Sequence, residues 1–144
     1  MTLTCTFAAF AQETDIAVVV NPGNAASTLT VPELRKLFGG EKRSWANGQA
    51  VRIFVRASGT RERTTLLKLL GMSESEYKQY WTSQVFRGEA QAEPVALPSN
   101  GMQKEAILAI PGAIVLMDSK DVKPPVKVVK INGHLPGEPG YPIH

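Results

Sequence analysis

The order of apolar runs and amphipathic segments predicts an α/β domain. Its core is a single doubly wound, mostly parallel sheet with helices on both faces. Three observations point there. Ile16-Ala17-Val18-Val19-Val20 is an unbroken apolar run, as a strand covered on both faces requires. Capped stretches with a helical apolar stripe alternate with further short runs of this kind. The 144 residues, 43% hydrophobic and 20% charged, suit one folded domain and exclude disordered, collagenous or coiled-coil chains.

Asn21-Pro22-Gly23-Asn24 ends the first strand. Thr30 can cap a helix with Pro32 in its first turn, and Val31, Leu34, Leu37 and Phe38 form its apolar stripe. Gly39-Gly40 stops that helix, and a polar loop through Trp45, Asn47 and Gly48 leads to a strand from Val51 to Val55. The next helix takes Ser58 as its cap, Leu66, Leu67, Leu69 and Leu70 as its buried face, and Gly71 as its end. Ser73 and Glu76 form a capping box, after which Tyr77, Trp81 and Val85 recur every four residues. Pro94 to Leu97 is a short strand, and Ser99 caps a helix whose Met102, Ala106 and Ile110 face inward until Pro111-Gly112 breaks it. Ala113 to Met117 and Val126 to Ile131 are the last strands.

Three regions follow. Residues 1–11 carry no charge and end in Ala9-Phe10-Ala11, a small-x-small cleavage signature, so they have the look of a truncated signal peptide remnant. That implies secretion to the periplasm, and cleavage after Ala11 removes Cys5, the single cysteine. Residues 12–131 form the α/β domain. Residues 132–144 are a Gly/Pro-rich tail expected to lie extended, on the surface or loose.

One cysteine and two histidines exclude a disulfide framework and a zinc cluster, and no cofactor is implied. The net charge of +3 is too small to require nucleic acid. Its distribution is uneven: nine basic residues and two acidic ones, Glu41 and Glu62, lie between Arg35 and Lys68. Such a segment is either a solvated basic face or a positive field suited to anions. Trp45 and Trp81 read first as packing residues, with stacking on a ligand as the alternative. Ser58 has no Gly-x-Ser-x-Gly surroundings, and no Gly-Lys-Ser/Thr follows Gly59, so neither a hydrolase elbow nor a P-loop is present.

The segment able to carry chemistry is Arg56-Ala57-Ser58-Gly59-Thr60-Arg61, where a strand runs straight into a helix. A helix start leaves about four backbone N–H groups without partners and a partial positive charge of about half a unit, which favours an oxyanion. Ser58 and Thr60 add hydroxyl donors, Gly59 permits close approach, and Arg56 or Arg61 supplies a charged donor pair. The competing reading is an ordinary cap flanked by solvated arginines.

The wider pattern carries more. Leu37-Phe38-Gly39-Gly40, Trp45 and Ser58-Gly59-Thr60 stand in the order found in the substrate-binding proteins of phosphate ABC transporters, and the chain resembles that family from about Ile16 to Met117. Tyr80-Trp81, Phe86-Arg87-Gly88 and Pro111-Gly112-Ala113-Ile114 are similar to its later landmarks. The resemblance implies a periplasmic-binding-protein-like domain in which Ser58, Gly59 and Thr60 match phosphate ligands and Arg56 matches the motif arginine. The stretch between that arginine and Ser-Gly-Thr is shorter here, and it holds Ala57 but no aspartate. The family closes two lobes over its ligand, whereas this chain is similar to the second lobe alone, like a short single-lobe branch of the superfamily. An open site of this kind is screened by water and salt, so weak binding follows unless a membrane transporter or second chain closes over it. The expected function is a secreted binding protein for phosphate or a similar oxyanion, serving transport or sensing. Two alternatives stay open: an interaction or accessory protein that keeps the fold without the ligand, and an enzyme acting on phosphate or acyl compounds.

Overall fold

A computed structural model describes residues 14–144; the signal-like segment, its cleavage signature and Cys5 lie outside the described residues. The elements run β1 (Ile16–Val20), β2 (Thr28–Leu29), α1 (Val31–Phe38), β3 (Arg52–Arg56), α2 (Arg61–Leu70), α3 (Glu74–Phe86), β4 (Val95–Leu97), α4 (Asn100–Ala109), β5 (Ala113–Asp118), a 3-10 turn (Ser119–Asp121) and β6 (Lys127–Ile131). The strands form one sheet in the order β2-β6-β1-β5-β3-β4. β1 pairs antiparallel with β5 and β6, and the other pairings are parallel, so five strands point one way and β1 the other.

β1 shows why an unbroken apolar run was needed. All five of its residues are buried, and they alternate between two cores. Ile16, Val18 and Val20 join the side chains of α1, α2 and α3, among them Leu34, Leu66 and Tyr77. Ala17 and Val19 face α4 with Val115 and Ile107. Helices therefore cover both faces, as expected.

The caps at Thr30, Ser73 and Ser99 form as the residues dictate, the first two as complete capping boxes. Three local expectations need correction. The cap of α2 is Thr60, whose backbone is extended, and Ser58 lies in the turn before it. On α3, Tyr77 and Trp81 are buried but Val85 is 39% exposed. A four-residue step turns the helix by about 400°, so the stripe drifts about 40° per step off the core. On α4, Met102 is 43% exposed, whereas Gln103 and Ile107 are buried. Gln103 tolerates burial because its amide donates to the Leu116 carbonyl at 2.8 Å and to Asn100 Oδ1 at 3.0 Å. β2 escapes the sequence reading because two residues show no period.

The Gly/Pro-rich tail is less peripheral than its composition suggests. β6 pairs with β1 only at Val18 to Val20, and beyond that point Ile16 turns to the tail. The Ile16 amide donates to the Ile143 carbonyl at 3.1 Å, and the Tyr141 hydroxyl donates to the Ile16 carbonyl at 2.6 Å. Tyr141 and Ile143 are buried in the main core, which corrects the surface or loose placement. Trp45 and Trp81 are buried packing residues, the first donating from Nε1 to the Gly112 carbonyl at 3.0 Å.

Candidate functional site

β3 lies between β4 and β5 and runs parallel to both, so the three strands end at the same edge of the sheet. At that edge the chain turns through Ala57 to Thr60 and enters α2 at Arg61. Gly59 makes the turn with φ +91°, a left-handed backbone that other residues adopt at a cost, and open space surrounds the position of a Cβ there. Ser58 and Gly59 are exposed. The Thr60 hydroxyl donates to the Ala57 carbonyl at 2.8 Å and accepts from the Arg63 amide at 3.2 Å. It is thus engaged on both sides by the corner's own backbone. The amides of Gly59 and Glu62 meet no acceptor among the described residues. Those two amides are donors that the corner leaves free, while the Ser58 hydroxyl is turned to the Glu74 carboxylate.

The arginines do not converge on it. Arg56 turns toward α4: one guanidinium nitrogen donates to Asn100 Oδ1 at 2.8 Å and lies 3.6 Å from Glu62 Oε1, and the other donates to the Pro98 carbonyl at 3.3 Å. Arg61 turns toward the end of β5, where it meets Asp118 at 2.5 Å and the Thr14 carbonyl at 2.6 Å. Arg63 forks onto Glu74 at 2.9 and 3.0 Å, donates to the Arg56 carbonyl at 3.1 Å and lies 4.5 Å above the Tyr77 ring. Arg63 holds the Glu74 carboxyl below its usual range, burial opposes this, and a hydrogen bond from Ser58 adds to the lowering. Burial pushes the Asp118 carboxyl up, but the Thr14 hydroxyl, the Lys120 amide and Arg61 outweigh it, so the group sits below its usual value. Of the expected site residues, then, the turn brings Ser58, Gly59 and Thr60 together. Arg56 borders them on one side, and the Arg61 guanidinium is engaged elsewhere.

Sequence reasoning missed the network behind Arg56. Glu62 is buried, and its Oε2 accepts from the Asp118 amide at 2.8 Å and from Asn100 Nδ2 at 2.7 Å. Asn100 Nδ2 also donates to Asp121 at 2.8 Å. The ends of β3 and β5 and the starts of α2 and α4 are therefore tied through two side chains. The only trace in the sequence was the cap at Ser99, which places Asn100 at a helix start but not beside Arg56. No group of residues suited to a metal ion occurs among the described residues, and none of their helices is long and apolar enough to cross a membrane.

Known proteins share this fold. A phosphate ABC transporter substrate-binding protein from Clostridium perfringens, solved with bound phosphate, is 17% identical with a TM-score of 0.67, over 83% of this chain and 46% of its own. An ABC-type phosphate transport receptor from Vibrio cholerae is 19% identical with a TM-score of 0.67, over 84% of this chain and 47% of its own. PstS from Borrelia burgdorferi is 16% identical with a TM-score of 0.63, over 85% and 49%. The chain spans about half the length of each. No family model matches the sequence, and no curated protein does. The fold that the sequence motifs implied is the fold present.

Proposed function

We propose that this chain binds phosphate or a similar oxyanion at the Ser58-Gly59-Thr60 corner. In this reading it works in the periplasm, in transport or sensing, and a membrane transporter or second chain closes over the open corner. The observation that carries the reading is a left-handed glycine at the start of α2 whose amide, with that of Glu62, has no acceptor among the described residues. Donors at the carboxyl ends of parallel strands face the crevice where α/β sheets hold ligands. The solved proteins named for phosphate binding lend the ligand class, and residues 1–11 lend the export route. Arg56 borders the anion in this scheme, while Arg61 contributes field and not a hydrogen bond. Binding is favoured over catalysis because Ser58 bonds to no histidine among the described residues.

One observation favours a second reading, an accessory protein that keeps the fold without the ligand. Each of Arg56, Arg61 and Arg63 already faces a carboxylate, so the corner lacks the uncommitted cation a tight anion site uses. Isothermal calorimetry at low salt separates the two. The first reading expects heat with phosphate, and weaker affinity in Thr60→Ala, because that hydroxyl's bonds to the Ala57 carbonyl and the Arg63 amide hold the corner's free amides in place. Silence toward phosphate, sulfate and other oxyanions alike refutes it and supports the second.

A further inference from the structure

Beside Arg56, on the α4 side, lies a cleft of about 550 Å³. Ser58, Gly59 and Thr60 do not line it, so it is separate from the corner. Its walls carry three cations, Arg56, Lys104 and Lys123, and one carboxylate, Asp121. The cations come from three different segments: the end of β3, the second turn of α4, and the stretch after the 3-10 turn. Lys104 and Lys123 make no ion pair with any described residue, and Asp121 is itself engaged by Asn100 Nδ2. With Arg56 set against the Glu62 carboxylate behind it, the cleft keeps an excess of one positive charge, carried by the two lysines against Asp121. Arg56 is not a free surface arginine. Asn100 and the Pro98 carbonyl hold its guanidinium, its side chain is only 14% exposed, and its Nε is buried without a partner.

Charge and size together select a ligand class. A water molecule occupies about 30 Å³ in the liquid, so this cleft exceeds more than tenfold what one water needs and is roomy for a single tetrahedral oxyanion. A fixed guanidinium at the wall and two ammonium groups on flexible stems suit an anion with more than one charged centre, the arginine setting direction and the lysines supplying point charges. We propose that this cleft binds a diphosphate group, presented either as inorganic pyrophosphate or as the end of a nucleoside diphosphate.

Calorimetry on the full chain with pyrophosphate, ADP and orthophosphate tests this. The expected result is pyrophosphate affinity at least tenfold above that of orthophosphate. Lys104→Ala with Lys123→Ala should then lose at least tenfold in pyrophosphate affinity, leave any orthophosphate binding unchanged and melt like the parent protein. Thr60→Ala should leave pyrophosphate affinity intact, which separates failure of the corner from failure of the cleft. ADP binding as tightly as pyrophosphate supports the nucleotide source, and pyrophosphate alone supports the inorganic one. Silence toward both, equal affinity for orthophosphate, or an unaffected double variant overturns the proposal.

Discussion

Replacing Glu62 with glutamine removes the charge of a buried carboxylate behind the corner. Its Oε1 lies 3.6 Å from the Arg56 guanidinium, both side chains are nearly enclosed, and its Oε2 accepts from Asp118 and Asn100. At an effective dielectric of about 20, unit charges at that distance attract by about 4–5 kcal/mol before desolvation is counted. The glutamine amide must also point a donor either at the guanidinium or at the Asp118 N–H, so it cannot reproduce the pattern. Breaking a buried pair from one side typically loses about 3–5 kcal/mol. Here Arg56 keeps Asn100 and the Pro98 carbonyl, which offset part of that. The expected loss for Glu62→Gln is about 2–4 kcal/mol, a large share of the roughly 5–15 kcal/mol of a typical domain. Urea unfolding followed by the fluorescence of buried Trp45 and Trp81 reads this as a midpoint lowered by about 1–2 M at unchanged slope. Adding Arg56→Met should recover part of the loss, with a coupling of about 1–2 kcal/mol between the two sites. A single variant that loses less than about 1 kcal/mol, or two variants whose losses simply add, refutes the view that this pair ties the sheet edge together.

Two further outcomes follow from the same geometry. Thr60→Ala removes the cap of α2 and should lower stability by about 1 kcal/mol and the melting temperature by about 3–4 °C. Thr60→Ser should stay within a few tenths of a kcal/mol of the parent, and Ser58→Ala, which loses only an exposed bond to Glu74, should shift the melt less than Thr60→Ala; a thermal scan by circular dichroism that reverses this order restores Ser58 as the cap. The Asp118 carboxyl, held below its unfolded value of about 3.9, contributes stability that is fully present above that value. That contribution is lost as the pH falls through the lower, folded value. Urea midpoints between pH 6 and pH 3 should therefore fall less steeply in Asp118→Asn, and equal slopes contradict the assignment.

The parts of the fold legible in sequence were those whose cause is local. An apolar run such as Ile16–Val20 can be accommodated only where both faces are covered, and a hydroxyl three residues before a carboxylate can serve its helix start wherever that helix sits. The Ser-Gly-Thr turn was legible for the same reason, since a glycine between two hydroxyls at a strand-to-helix junction already implies a tight, donor-rich corner. The exceptions show the limit. Val85 and Met102 fit a helical spacing but point outward, because which side of a stripe is covered depends on what packs there. Tyr141 sits among glycines and prolines, and only the end of β6 leaves room for it beside Ile16.

The order of the longer elements, most of their caps and the place of the corner could be read from the residues alone, because propensity, capping and hydrophobic period act over a few residues. The tertiary structure alone decided the electrostatics of that corner. Counted along the chain, the region from Arg35 to Lys68 is strongly basic; in space, Arg43, Arg61 and Arg63 meet Glu89, Asp118 and Glu74, all from outside that segment. Coulomb attraction depends on distance through space, and folding brings residues tens of positions apart within 3 Å, so a count along the chain cannot foresee which charges remain uncompensated. Lys104 and Lys123, unremarkable in sequence, are the ones left beside Arg56 at the end of the sheet.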